Sequence, residues 1–240
     1  MSLATDQIEQ RYLTEDYVGV HPTYHEEDSE WKAGLVAKLL RANQLQPHSC
    51  CDIGCGAGKV LAALRPLYPQ AELFGYDIAP SAARFWPKYA DTGIQFRVGN
   101  FHELNDRKFD VVLLLDVLEH LPDPNQFLAA LRPAANYFVF HFPLDLSAIG
   151  VWREAAMLYS RRSVGHIHYY TKSLALELLT ESGYEVIDWQ YSGAGYTSPH
   201  RTWKSVLRSL PIRFPVPGHD AMVRILGGET LIVLARLPKT

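Results

Sequence analysis

Short apolar runs alternate with amphipathic stretches through the middle of the chain. Cys50–Ile53 is apolar, and Val60, Leu61, Leu64, Leu67 and Tyr68 then repeat at helical spacing. Glu72–Asp77 reads as a strand, Ser81–Ala90 as a helix and Ile94–Val98 as a strand. Phe109–Leu115 is almost unbroken in apolar residues, as expected of a strand buried on both faces of a parallel sheet. Pro122–Leu131 reads as a helix with Pro122 or Pro124 in its first turn, and Tyr137–Phe142 as another buried strand. Upstream, Leu35, Val36, Leu39 and Leu40 share one face of a helix that runs from Trp31, with Asp28 or Ser29 as N-cap. The alternation predicts an α/β fold, a doubly wound and mostly parallel sheet with helices on both faces.

Residues 143–170 break this rhythm. Ile149–Tyr159 reads as a helix, and Arg161–Tyr170 is polar and aromatic. Thr171–Ser182 is a helix capped by Thr171 and followed by Gly183. Tyr184–Tyr191 and Thr230–Ala235 read as strands, separated by a long segment, 192–228, that is punctuated by prolines and a Gly227-Gly228 pair. Irregular segments of this length inside a domain are usually functional or mobile.

Candidate chemistry gathers where the first strand meets the following helix. Asp52-Ile53-Gly54-Cys55-Gly56-Ala57-Gly58 is a glycine-rich turn of G-x-G-x-G spacing preceded by an acid. Glycine at such a turn accepts φ > 0 and lets the backbone approach a ligand closely. Ligands in open α/β sheets bind beyond the carboxyl ends of the strands, which is where this turn lies. A dinucleotide fingerprint needs glycine or alanine where Lys59 stands, and the phosphate-loop signature is absent.

The turn resembles the first motif of the class I S-adenosylmethionine (SAM)-dependent methyltransferases. Asp77, at the end of the second strand, matches that family's ribose-binding acid, with Ile78 beside it. Asn100-Phe101 follow the third strand, where the family holds the adenine edge; many members carry Asp at the position of Asn100. The stretch Phe109 to Pro124, with Asp116-Val117-Leu118-Glu119-His120 at its centre, resembles the fourth-strand motif of the branch containing ubiquinone-biosynthesis methyltransferases (the methyltransferase type 11/23 domain). Gly165-His166-Ile167-His168-Tyr169-Tyr170-Thr171 resembles a later part of the same branch. The resemblance implies a Rossmann-like sheet of seven strands with the last antiparallel, and SAM as cofactor. It implies cofactor contacts from Asp52, Gly54, Cys55, Gly56, Gly58, Asp77, Ile78, Asn100, Phe101, Leu115, Asp116 and Val117. Residues 1–47 are then an N-terminal cap or lid helix region. Residues 48–240 are the methyltransferase domain, with acceptor-side insertions at 143–170 and 192–228.

The expected reaction is methyl transfer to a small-molecule acceptor, with oxygen preferred as the nucleophile. A hydroxyl acceptor needs a general base, and the candidates are His141 at the end of the fifth strand and His166. Asp116, Glu119 and His120 at D-x-x-E-H spacing define the alternative of a metal-assisted transferase, with a fourth ligand from His141 or His166. The preferred assignment has no metal. A non-catalytic SAM-binding regulator and an NAD-dependent dehydrogenase are further alternatives. Tyr24 is a candidate lid contact, and Trp31 is assigned to the core of the first helix.

Composition narrows the partners. With 48% hydrophobic and 20% charged residues among 240, the chain has the balance of a globular domain. A net charge of −3 supplies no general attraction to phosphate backbones, so no nucleic-acid partner is expected. Neither a membrane span nor a secretory leader is read, and the three cysteines fall within six positions, too close for a disulfide framework. A cytoplasmic setting is the expectation. The sequence does not indicate an oligomeric state.

Overall fold

The computed structural model describes residues 13, 23–24, 26–199, 201–213 and 218–238. Seven strands form one sheet in the order β3-β2-β1-β4-β5-β7-β6: β1 (Ser49–Ile53), β2 (Glu72–Asp77), β3 (Gln95–Val98), β4 (Phe109–Leu115), β5 (Ala135–Pro143), β6 (Glu185–Tyr191) and β7 (Thr230–Arg236). Strands β1 to β5 pair in parallel, and β7 runs antiparallel to both β5 and β6. This is the expected Rossmann-like sheet. The order of connection reverses between β1 and β4, so the loops leaving their carboxyl ends diverge and open a crevice between them.

The central strand shows why the pattern was legible. Alternate β4 residues serve opposite cores. Val112 and Leu114 join a cluster with Leu128, Phe138, Phe140 and Leu179, whereas Val111 and Leu113 join one with Val36, Leu40, Leu61 and Leu234. Helices α4 (Pro124–Leu131) and α7 (Lys172–Glu181) cover the first face, and α1 (Glu26–Ala42) and α2 (Lys59–Leu64) the second.

Three elements depart from the sequence reading. Helix α1 begins at Glu26, so Asp28 and Ser29 lie inside its first turn rather than capping it. Glu26, Glu27 and Asp28 complement the positive end of the helix dipole there. The expected helix 81–90 is a 3-10 helix, Pro80–Thr92, because Pro87 inside it has no N–H to donate and its ring crowds the preceding turn. The expected helix 149–159 divides at Glu154, whose φ of +52° ends α5 (Ala148–Arg153) before α6 (Ala155–Tyr159) begins. A π-helical turn, Ser160–Val164, follows and closes on Gly165 at φ +97°. Thr171 caps α7 as expected, its hydroxyl accepting from the Leu174 amide. Between β6 and β7 lie α8 (Ala194–Thr197), α9 (Trp203–Arg213) and α10 (His219–Leu226).

Candidate active site

The site lies along the carboxyl edge of β1, β2, β4 and β5. At β1 the chain turns through Gly54 (φ +74°), Gly56 (φ +50°) and Gly58 (φ +80°), all in the left-handed region. The amides of Gly54 and Cys55 both donate to the Tyr76 carbonyl, at 2.8 and 3.1 Å, which ties the turn to β2. A β-carbon on Gly54 would stand 2.8 Å from Val117 Cγ2, and one on Gly56 would stand 3.3 Å from the Tyr24 ring. The turn is therefore a backbone cradle that side chains would fill. The Trp86 indole donates to the Gly56 carbonyl at 2.9 Å and steadies it.

Asp77 closes the far side. Its two carboxylate oxygens accept from the Gly56 and Ala79 amides, each at 2.8 Å, which leaves lone pairs for further hydroxyl donors. Burial raises its pKa, and the two amides oppose the rise. Asp52 is buried beneath the turn; burial pushes its carboxyl up to about 7, Lys32 opposes this, and Asp77 adds to it. Cys55 is buried, and burial raises its thiol pKa, which suits a loop residue and not a nucleophile. Ile78 is partly exposed beside Asp77. Asn100 is exposed and caps a short helix, α3 (Phe101–Leu104), accepting from the His102 amide at 3.0 Å. Phe101 keeps its ring in the core, edge-on to Tyr76. Leu115 is buried at the end of β4, and Val117 is half-buried against Gly54.

Asp116 sits at φ +58°, turning the chain sharply as β4 ends. Its Oδ1 accepts from His141 Nδ1 at 2.6 Å, and its Oδ2 pairs with Lys32 Nζ at 2.7 Å. Burial acts to raise the Asp116 pKa, but His141 and Lys32 together hold it well below the usual carboxylate range. Burial also acts to lower the Lys32 pKa; Asp116 outweighs it and the lysine stays charged. His141 is committed on both nitrogens, since its Nε2 lies 2.8 Å from Thr230 Oγ1. Trp31 stands edge-on to its ring and donates to Thr197 Oγ1. Trp31 is thus a contact of the site's wall as well as a helix residue.

The next turn, Leu118–His120, carries a second cluster. Glu119 is fully buried, and its carbonyl accepts from the Ile167 and His168 amides. That docking brings His166 to the turn: His166 Nε2 and His120 Nε2 each stand 4.0 Å from Glu119 Oε1. His166 Nδ1 contacts Asp145 Oδ2 at 2.6 Å, and His120 Nδ1 contacts the Gly165 carbonyl at 3.2 Å. His168 contacts the Leu121 carbonyl instead. Asp116 is absent from this second cluster because Lys32 and His141 occupy it. The D-x-x-E-H triplet read in the sequence therefore divides between two groupings.

Lys32, Asp145, Thr230 and Trp86 were not anticipated. Lys32 had a signal: it lies four residues before Val36, on the apolar stripe of α1, where a lone cation is out of place. The other three come together only through tertiary contacts.

A glycine turn, an acid at the end of β2 and a carboxylate-histidine pair thus share the carboxyl edge of a Rossmann-like sheet. The sequence model of the methyltransferase domain family matches residues 24–188, and the chain belongs to that family. A methyltransferase domain is what the motif resemblance implied, and it speaks against the dehydrogenase alternative. The chain is similar to the ubiquinone biosynthesis O-methyltransferase of Azorhizobium caulinodans, 38% identical over 82 residues, 32% of each chain. It is also similar to the tRNA U34 carboxymethyltransferase of Nautilia profundicola, 26% identical over 117 residues, 45% of this chain and 38% of that one. These matches span 32% and 38% of the two relatives' own lengths. The fold is shared with magnesium protoporphyrin IX methyltransferase from Synechocystis, solved with bound S-adenosylhomocysteine (SAH). The TM-score is 0.64 at 14% identity, covering 97% of this chain and 99% of that one. No helix among the described residues is long and apolar enough to cross a membrane.

Proposed function

We propose that the chain transfers the methyl group of SAM to an oxygen atom of a small-molecule acceptor in the cytoplasm. The observation that carries this reading is adjacency. Val117 packs against Gly54, so the cofactor cradle borders directly on the Asp116–His141 pair and on the Glu119, His120 and His166 cluster. The residues present fit the cofactor: the cradle excludes side chains, and Asp77 keeps lone pairs for a ribose. SAM, when bound there, would supply a methyl on a sulfonium sulfur for transfer to the acceptor oxygen, its sulfur keeping the electron pair of the broken C–S bond. The chain aligns the two partners and excludes water, which is where most of the acceleration of such a displacement arises.

The acceptor hydroxyl gives up its proton at the Glu119–His120–His166 cluster. His141 holds Asp116 in place and acts as a positioning residue, since neither of its nitrogens is turned to an acceptor. In this reading the described residues of 143–170 and 192–228 face the acceptor. The O-methyltransferase among the similar proteins supports oxygen as the nucleophile. The tRNA-modifying relatives make an RNA acceptor the second reading.

Calorimetric titration with SAH is the first test, and micromolar binding is expected. No binding by folded protein would overturn the reading. Incorporation of labelled methyl from SAM into hydroxylated small molecules, compared with transfer RNA, then decides the acceptor. Binding of SAH with no transfer to either class would favour a non-catalytic SAM-binding regulator. His141→Ala is expected to cut turnover far more than SAH affinity; unchanged turnover would remove it from the reaction.

A further inference from the structure

We infer that Glu119, His120 and His166 form a binding site for a divalent transition-metal ion of the zinc type. Glu119 carries the argument. It is fully buried, and neither carboxyl oxygen has a hydrogen-bond partner in another side chain or amide among the described residues. Leaving such a group unpaired in the interior carries the penalty of a buried charge or of lost hydrogen bonds, so its surroundings should supply a cation or a donor. What faces it is two imidazole Nε2 atoms, each 4.0 Å from Oε1.

The second observation concerns the far side of each ring. A backbone carbonyl only accepts, so the contact between His120 Nδ1 and the Gly165 oxygen places the proton on Nδ1. The Asp145 carboxylate fixes the same tautomer in His166. In each neutral ring the lone pair then sits on Nε2, on the side where Glu119 lies. Carboxylate and carbonyl partners of this kind are what orient metal-bound histidines. The chain builds the arrangement deliberately. The π-helical turn at Ser160–Val164 presents Gly165, and the Ile167 and His168 amides dock on the Glu119 carbonyl, which locks His166 beside His120.

One ligand atom from each residue lies within 4.8 Å of the others. Ligands of a tetrahedral ion with bonds of about 2.0–2.1 Å stand about 3.3 Å apart, so side-chain rotations of under about an ångström would close the site. Two imidazoles and one carboxylate suit zinc, iron or nickel; magnesium prefers an all-oxygen shell. Three protein ligands leave a coordination position open. The use of that position for the acceptor rests on the methyl-transfer reading. With the ion in place the three side chains serve as ligands and not as bases: a hydroxyl bound at the open position would be acidified by the ion and lose its proton to water, in place of the direct transfer to the cluster. The site itself rests on the geometry alone.

The test uses the full-length chain after exhaustive dialysis against EDTA. Zn2+ is titrated in competition with a chromogenic chelator, and SAH affinity is measured in parallel with EDTA present. One equivalent of Zn2+ per chain is expected. Glu119→Gln and His166→Ala should each weaken it at least about a hundredfold, and Asp145→Asn, which touches no metal, about 10–100-fold. Thermal melting checks that each variant folds. Should Glu119→Gln not fold, Co2+ added to the wild type gives the same information, because imidazole and carboxylate ligation produces visible absorption that Zn2+ displaces. Failure of the wild type to bind either ion, or binding unaltered in the folded Glu119 and His166 variants, would overturn the site. SAH binding in EDTA beside a negative metal result would leave the cofactor reading standing; loss of SAH binding beside a positive metal result would do the reverse.

Discussion

The two halves of the crevice are built by different means. In the half proposed to hold the cofactor, one continuous turn from Asp52 to Gly58 is shaped by backbone amides and positive φ angles, and Asp77 completes it from the next strand. In the half proposed to receive the acceptor, side chains from α1, the turn after β4, β5 and the 143–170 segment meet around Asp116 and Glu119. A backbone cradle is local, so its signature survives as spacing in the sequence. A side-chain network depends on the packing that joins distant segments. The first half should therefore fail through loss of ligand binding, and the second through loss of stability or turnover.

The largest expected effect breaks the acceptor half. Asp116→Ala leaves Lys32 buried without its counter-ion and His141 without its anchor, and should cost about 3–5 kcal/mol in denaturant unfolding. A loss under about 1 kcal/mol would mean that the pair is solvent-relaxed and that the contrast between the halves is false. Gly56→Val tests the other half. It puts a branched side chain at φ +50° against Tyr24, and SAH affinity should fall at least about a hundredfold, about 2.7 kcal/mol. Retained affinity would sink the cradle.

Asp77→Ala sharpens the same side. Loss of a charged hydrogen-bond acceptor should weaken SAH by about 1.5–3 kcal/mol, and an unchanged dissociation constant would remove Asp77 from the ribose. Asp52 gives a pH signature. Its folded pKa lies above the ordinary 3.8, at about 7, so its burial favours the protonated form. Its contribution to stability is complete below about pH 4 and is lost as pH rises through about 7, by up to about 1.4 kcal/mol per unit. Asp52→Asn should flatten that fall; an identical pH profile in the variant would show that Asp52 is not the titrating group. Thr171→Ala is the smallest change. It removes the cap of α7 and should cost about 1 kcal/mol without altering SAH affinity.

Much of the fold is legible in the sequence. β2 and β4 have the bounds read from their apolar runs, and β7 was placed to within one residue. Buried strands and amphipathic helices write their burial directly into the order of residues. The errors fell where a single backbone position decides the outcome. Pro87 converts one helix to 3-10 form, and the positive φ of Glu154, which no residue type announces, divides another.

Within the site, the sequence by itself determined the glycine turn, the acid at Asp77 and the presence of Asp116, Glu119 and His120 on one short stretch. These are local features, set by a few residues and their conformational limits. Only the tertiary structure decided which groups pair. It gave Asp116 to Lys32 and His141, turned Glu119 inward, and carried His166 across 47 residues of chain to meet it. The reason is physical. Pairing of buried polar groups depends on distances between elements that are far apart in sequence, and those distances exist only once both hydrophobic cores have closed around the sheet.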